Sequence, residues 1–276
     1  MKTALLQISS SDDPAENLNM VRAMVADAAA QGAHWVLTPE VTNCLSTSTT
    51  RQRELLQHEE DDITLAGLRA QAAELGIWLL IGSLGIKTHD PDGRFANRSF
   101  MIGPQGQIVA RYDKIHMFDV QVTETETFRE SANYRPGQRA VLAETDFGKV
   151  GMTICYDLRF PHLHAALAQA GATILTVPAA FSPVTGAAHW EPLLQARAIE
   201  TGCWVLAPAQ TGDHKLSRGK PRRTHGHSLV VAPWGEVLID AGTNPGIHIF
   251  DLDDKSVTEA RRRVPSLTHV RAFDGP

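Results

Sequence analysis

One cysteine, one glutamate and one lysine, each at the end of an apolar run, carry most of the chemical potential of this sequence. Cys155 closes the run VGMTIC and is followed by Tyr156-Asp157 and then, from Pro161, by a helical pattern. A thiol at a strand end emerges where clefts form in α/β proteins. Partial exposure near positive potential lowers its pKa and makes it nucleophilic. Glu40 ends the run WVLTPE. A carboxylate against apolar walls has a raised pKa and is suited to act first as base and then as acid. Lys114 stands between IVARYD and IHMFD, from where its ammonium would stabilise an oxyanion and lower a thiol pKa. Glu130, in TFRESANYRPG, is a weaker candidate that draws its meaning from the others. Taken singly, each has a plainer reading as well: a packed core thiol, a solvated loop carboxylate, a surface lysine. Cys44 and Cys203 have no comparable setting, and Cys203 reads as packing.

These side chains need a scaffold, and the chain supplies one. Short apolar strands alternate with helical patterns throughout. Strands are expected over residues 3–8, 34–38, 77–81, 99–102 and 108–112, with helices opening at Asp13-Pro14 and spanning 64–75, where Gly76 acts as a stop. The second half repeats the order: strands over 150–155, 173–177, 204–207, 228–231 and 237–239, helices from Pro161 to Gly171 and over 189–200. The two halves can be superposed. SFMIGPQGQIV from Ser99 matches SLVVAPWGEVL from Ser228, WLLIGS from Trp78 resembles WVLAPA from Trp204, and WVLTPE from Trp35 resembles ILTVPA from Ile174. An internal two-fold duplication of this kind builds two similar sheets, each covered by helices on one face and packed on its partner by the other. The expected fold is α/β, a four-layer α-β-β-α sandwich. Residues 1–260 form the expected single domain, and 261–276 a tail without helical or strand pattern that crosses onto a neighbouring subunit. Residues 42–62 and 117–138 are long connections of the kind that carry function, and 212–224 reads as an exposed basic loop.

Bulk properties narrow the class. The chain has 276 residues, 43% hydrophobic and 21% charged, with a net charge of -5; such a chain is globular and offers no electrostatic attraction to nucleic acid or to an anionic membrane. Three unpaired cysteines without a CxxC spacing point to reduced thiols in the cytoplasm. The N-terminal apolar run is too short for a signal core, and no run approaches the ~18 apolar residues of a membrane span. Asn97-Arg98-Ser99 matches a glycosylation sequon, but nothing in the sequence directs it to a secretory route.

Three separated stretches resemble the signatures of one family. LTPE at Leu37, RYDKIHMFD at Arg111 and GMTICYDLRFP at Gly151 look like the three motifs of the nitrilase, or carbon-nitrogen hydrolase, superfamily, in the right order. The likeness runs from TALLQIS to HSLVVAPWGEVL, nearly the whole chain. It implies that the family's Glu-Lys-Cys triad falls on Glu40, Lys114 and Cys155, with the accessory glutamate on Glu130, and that the protein forms a homodimer or larger assembly. Implied as well is hydrolysis of a linear amide through a thioester, with the Tyr156 backbone N–H helping to hold the oxyanion and no metal or organic cofactor taking part. HMFDVQV, FRES, FSPVTGAAHWEPLLQARAIET and AQTG resemble the branch of small amidases that act on α-keto-amides, deaminated glutathione amidases ahead of ω-amidases, with N-carbamoyl amino acid hydrolysis a further alternative. Those substrates are acidic, so a cation is expected in the pocket. Arg159 is the candidate because arginine grips a carboxylate bidentately, although an ion pair with Asp157 is an equal reading; Thr185 and Gly186 would shape the wall. The segment GKPRR within 213–224 departs from that branch.

Other classes fit less well. His225 and His227 share a face, whereas His162 and His164 do not, and no HExxH or cysteine cluster supports a catalytic metal. A papain-like protease would need a histidine such as His116 or His189 to activate Cys155. A binding protein that kept the fold and lost activity would be expected to have lost a member of the catalytic set. No GxSxG, P-loop or GxGxxG pattern occurs.

Overall fold

The structure is a computed structural model, and it describes residues 1–124 and 126–275. The first sheet takes β1 (Lys2–Gln7), β2 (Trp35–Leu37), β3 (Trp78–Lys87), β4 (Phe95–Ile102) and β5 (Ile108–Asp113). A hairpin of β6 (Asp119–Gln121) and β7 (Thr127–Arg129) follows. The second sheet takes β8 (Val141–Thr145), β9 (Gly148–Met152), β10 (Ile174–Thr176) and β11 (Trp204–Ala207). After the hairpin of β12 (Thr211–Asp213) and β13 (Arg223–His225), β14 (Leu229–Val231) and β15 (Val237–Asp240) complete that sheet, and β16 (Gly246–Asp251) returns to the first. The strand orders are β16-β1-β2-β3-β4-β5 and β15-β14-β11-β10-β9-β8. Each sheet has two successive parallel pairings in its centre and antiparallel pairings outside them. Thus β1 to β5 correspond to β9, β10, β11, β14 and β15, the correspondence that the sequence repeat implies.

Side-chain alternation explains the four layers. Successive residues of a strand point to opposite faces. Leu5, Trp35, Leu37 and Leu80 of the first sheet join the cluster that contains Met152 and Ala143 of the second, and so fill the space between the sheets. Their neighbours Ala4, Leu6, Val36, Leu79 and Ile81 face Val21, Val25 and Ala28 of helix α1 (Pro14–Ala30). Helix α1 starts where Asp13 accepts the N–H groups of Ala15 and Glu16, with Pro14 in the first turn. A short helix α2 (Thr49–Leu55) lies inside the 42–62 connection, and α3 (Ile63–Leu75) packs beside α1 and ends at Gly76 with φ 64°. Helices α4 (Pro161–Gln169) and α5 (Pro183–Thr201) cover the second sheet through Leu163, Leu167, Trp190 and Leu194.

Several expectations need correction. The strand over 150–155 ends at Met152; Cys155 instead has φ 50° and opens a 3-10 turn, Cys155–Arg159. Helix α5 starts at Pro183, not near His189, so Thr185 and Gly186 are helical. Gly186 is there because a Cβ would lie 2.3 Å from the His225 ring. The segment 261–276 is not patternless: α6 (Lys255–Arg263) runs into it, Ser266–Thr268 forms a 3-10 turn, and Arg261 bonds the carbonyls of Thr201 and Ala172 of its own chain. Pro276 lies outside the described residues. Nor is 212–224 merely an exposed loop. Its arms pair as β12 and β13, with His214 bonding Ser10 and Thr224, and Ser217 bonding Asp12. Among the described residues no helix is long and apolar enough to cross a membrane.

Candidate active site

The C-terminal ends of β2 and β9, from facing sheets, meet the end of β5 at one cavity of about 700 Å³. Glu40, Lys114, Glu130, Cys155 and Tyr156 all line it. Glu40 sits on a turn held from several sides. Gln210 Nε2 donates to the Glu40 carbonyl at 3.0 Å, the Val41 N–H donates to Ser83 Oγ at 2.8 Å, and the Thr42 hydroxyl donates to the Pro39 carbonyl at 2.7 Å. The turn forces Val41 to φ 49°, an outlier for a β-branched residue. Beneath it Gly82 leaves no room for a side chain, since a Cβ would stand 1.9 Å from the Thr38 carbonyl oxygen. The left-handed residues outside glycine are Val41, Cys155 and His227 among those described, so two of the three adjoin or constitute this cluster. Backbone strain of this kind persists where surrounding bonds over-determine it, and it concentrates at functional sites.

The polar cluster is closely connected. Lys114 Nζ donates to Glu40 Oε1 at 2.9 Å and to both oxygens of Glu130 at 3.0 and 2.9 Å. The second Glu40 oxygen accepts the Ala180 N–H at 2.8 Å, and Glu130 Oε2 accepts the Phe118 N–H at 2.7 Å. Asn97 donates to Glu40 at 2.9 Å and to Glu130 at 3.3 Å. In the sequence Asn97 stands out only as part of a sequon; in the structure it is 2% exposed and belongs to the cluster. The Cys155 N–H donates to the Pro178 carbonyl at 2.9 Å. The Tyr156 N–H lies in the first turn of a helical segment, where amide donors lack intrahelical acceptors.

Electrostatics set the protonation states. Burial favours the neutral acid at Glu40, but the charge and hydrogen bond of Lys114, aided by Cys155 and the Ala180 N–H, outweigh it and hold this carboxyl below its ordinary value. Burial and the adjacent Glu40 carboxylate push the Cys155 thiol well above its ordinary value, against the pull of Lys114. For Lys114, burial works against the charge, yet Glu130 and Glu40 raise its pKa well above that of an ordinary lysine. This reverses the expectation of a raised glutamate and a lowered thiol: Lys114 outweighs burial at Glu40, whereas at Cys155 burial and the Glu40 charge outweigh Lys114. The resting site is a carboxylate beside a neutral thiol and a fixed cation. Such a set suits proton abstraction concerted with attack.

Arg159 and Thr185 are not among the lining residues. The Arg159 guanidinium lies 5.9 Å from the Tyr156 ring and 5.6 Å from that of Phe181, and it bonds His189 rather than Asp157. Thr185 sits on α5 behind Pro183 and Val184, which do line the cavity. The cation that sequence reasoning missed is Arg222, from the arm of the basic loop. It lines the cavity, donates to the Ala180 carbonyl at 2.9 Å and stands 4.7 Å over the Phe128 ring. Burial lowers its pKa, while Cys155, Glu40, Glu126 and Glu130 act to raise it. The one signal in the sequence was GKPRR, which departed from the expected branch pattern. Among the described residues, His58, Glu60 and His89 have metal-ligand spacing, but they lie outside this cavity. The rings of His58 and His89 stack at 3°, so one ion cannot lie in both ring planes.

Fold and site together define a hydrolase of carbon–nitrogen bonds. The carbon-nitrogen hydrolase family matches residues 2–262, and the chain belongs to it. Among relatives, the chain is 39% identical over 268 residues to the deaminated glutathione amidase of Synechocystis sp. (strain PCC 6803 / GT-S), covering 96% of each. Its fold is similar to the crystal structure of the C. elegans NitFhit protein, with a TM-score of 0.89 and 32% identity over 98% of this chain and 65% of that one. It is also similar to an amidase from Nesterenkonia sp. AN1, at a TM-score of 0.76 and 26% identity over 96% of this chain and 98% of that one. A mutant of that enzyme took up acrylamide by Michael addition at its active-site cysteine.

Proposed function

We propose that the protein is a cysteine amidohydrolase that converts a small acidic amide, of the deaminated glutathione type, into a carboxylic acid and ammonia. What carries this reading is the convergence of Glu40, Lys114 and Cys155 on one cavity wall. Glu40 takes the thiol proton as sulfur attacks the amide carbon, and the carbonyl electron pair moves to oxygen. Lys114 and the Tyr156 N–H hold that oxyanion. Glu40 returns its proton to the amide nitrogen as the C–N bond breaks, releasing ammonia and leaving a thioester on Cys155. Water, deprotonated by Glu40, then attacks the thioester; the acid leaves and the sulfur regains its proton. Glu130 and Asn97 keep Lys114 and Glu40 aligned through these steps. Lys114 is too strongly held as a cation to donate its proton, so its contribution is charge alone.

The protonation states fix the pH response. Activity needs the ionised Glu40 and the neutral thiol. Glu40 lies below its ordinary 4.5 and Cys155 above its ordinary 9.0, so acid removes activity only below the former and base only above the latter. The kcat/KM of a neutral amide is therefore expected to be flat between those two values. A limb centred near neutrality would instead point to a histidine base.

The outer wall favours an acidic substrate. Arg129, Lys220, Arg222 and Arg223 line it against Glu126 as the only acid outside the Glu40–Lys114–Glu130 group among the described residues. Arg222, desolvated and oriented on Phe128, is a stronger candidate than Arg159 to grip the distal carboxylate. A charge-assisted bond of this type is worth ~1.5–3 kcal/mol, so Arg222→Met should raise KM for an acidic amide about ten- to a hundredfold while leaving a neutral amide nearly unaffected. Arg159→Met made in parallel should do less. Equal losses on both substrates would remove Arg222 from carboxylate binding, and a larger effect at Arg159 would return the role to that residue. The test of the function itself is ammonia release from deaminated glutathione, α-ketoglutaramate, an N-carbamoyl amino acid and a simple nitrile, with activity expected in that order.

A further inference from the structure

Asp157 is fully buried, yet it lies two residues beyond Cys155 and takes no part in the steps above. Its carboxylate accepts four hydrogen bonds. Tyr112 Oη donates to Oδ2 at 2.6 Å and the Ile154 N–H to the same oxygen at 2.9 Å. The His116 N–H and Nδ1 reach Oδ1 at 3.0 and 2.7 Å. The Ile115 N–H adds a bond to the Tyr112 hydroxyl at 3.3 Å. Tyr112 and His116 flank Lys114 at two residues on either side, and Ile154 immediately precedes Cys155. Tyr112 is the penultimate residue of β5 in the first sheet, whereas Ile154 follows β9 in the second. One carboxylate therefore ties the backbone that carries the cation to the backbone that carries the sulfur.

We propose that Asp157 is a positioning residue for amide hydrolysis, a role that rests on the reading of Cys155 and Lys114 given above. By joining Ile154, Tyr112 and His116 it fixes the spacing between the sulfur and the ammonium across the two sheets and holds Cys155 in its left-handed conformation. The oxyanion must form within reach of both Lys114 and the Tyr156 N–H, so a small drift between these segments costs rate rather than binding; a 1 Å misplacement can cost about a hundredfold. Burial and the charge of Asp157 push the Tyr112 phenol upward, so it acts as a neutral donor. His116 is fixed in place as well, its ring stacked on Phe160 at 3.5 Å and 7°.

Asp157→Asn keeps the shape and breaks the donor pattern. Whichever way the amide is turned, its NH2 faces either the Tyr112 and Ile154 donors or the two donors of His116. The expected result is a fall in kcat of about a hundredfold, with KM for the amide within about threefold and most of the protein still folded by thermal melting. A folded variant with parental kcat overturns the proposal, as does a loss no larger than the unfolded fraction, which would make the residue merely structural. Should the Asn variant fail to fold, Tyr112→Phe removes one donor alone. A lower kcat per titratable Cys155 at unchanged KM then supports the role, and a parental kcat overturns it. Cys155→Ala run alongside separates the two readings: if it is inactive while Asp157→Asn is fully active, only the positioning role fails, whereas an active Cys155→Ala removes the hydrolytic mechanism itself.

Discussion

Cys155→Ala is expected to give a folded protein that releases no ammonia from any amide, with kcat lower by at least about four orders of magnitude. Alanine keeps the Cβ and occupies the same left-handed backbone at no greater steric cost than cysteine, so the turn survives. What disappears is the sulfur that we propose forms the acyl bond. Cys44 also lines the cavity but cannot substitute: its raised thiol, pushed up to about 12 by burial and the charge of Asp12, faces the Asp12 carbonyl at 3.9 Å, whereas the Cys155 thiol hydrogen-bonds the Glu40 carboxylate that can take its proton. Cys203 lies elsewhere, against the Ala172 carbonyl and Arg261. Ammonia assays with a thermal melt check both halves of the expectation. Residual turnover above about a ten-thousandth of the parent's would require another nucleophile.

Lys114→Met should be the most damaging substitution for stability within the site. It leaves Glu40 and Glu130, with side chains 6% and 15% exposed, facing each other without the cation that neutralises both. Removing one partner of a buried ion pair costs about 3–5 kcal/mol, which for a chain of this size lowers the melting temperature by roughly 10 °C. Activity should fall by at least about a hundredfold from loss of oxyanion stabilisation. A second change, Glu130→Gln, removes one stranded charge. The double variant Lys114→Met/Glu130→Gln should therefore recover part of the stability and none of the activity. If melting is unaltered in the single variant, the two carboxylates are not held as ions by Lys114. If activity returns with stability, Lys114 serves only the fold.

Much of this was legible in the chain. WVLTPE, RYDKIHMFD and GMTICYDLRFP announce a carboxylate, an ammonium and a thiol, and the match of Ser99–Gly106 with Ser228–Gly235 foretells the paired sheets. Legibility ended where a residue's meaning depends on partners far away in sequence. Asn97 looks like any polar residue of a strand until β4 places it between Glu40 and Glu130. Arg222 reads as part of a solvated basic loop until the pairing of Thr211 with His225 folds that arm back over Phe128. The direction of the pKa shifts was also hidden. A strand-end glutamate taken alone suggests desolvation and a raised value, and only the 2.9 Å bond from Lys114 reverses it. Asp157 lies two residues beyond the motif cysteine, but its bonds to Tyr112 and His116 span more than forty residues. Local pattern identifies which side chains are chemically able; long-range pairing decides which of them act together.

The most direct test of the thioester is the intact mass of the protein, acid-quenched during turnover of a slowly hydrolysed amide. The expected species carries the substrate's acyl group, the substrate mass less ammonia, and peptide mapping places it on Cys155, with no adduct in Cys155→Ala. A sample that is turning over yet shows the acyl group on another residue, or shows none on Cys155 when hydroxylamine trapping yields no hydroxamate, would contradict covalent catalysis by this thiol.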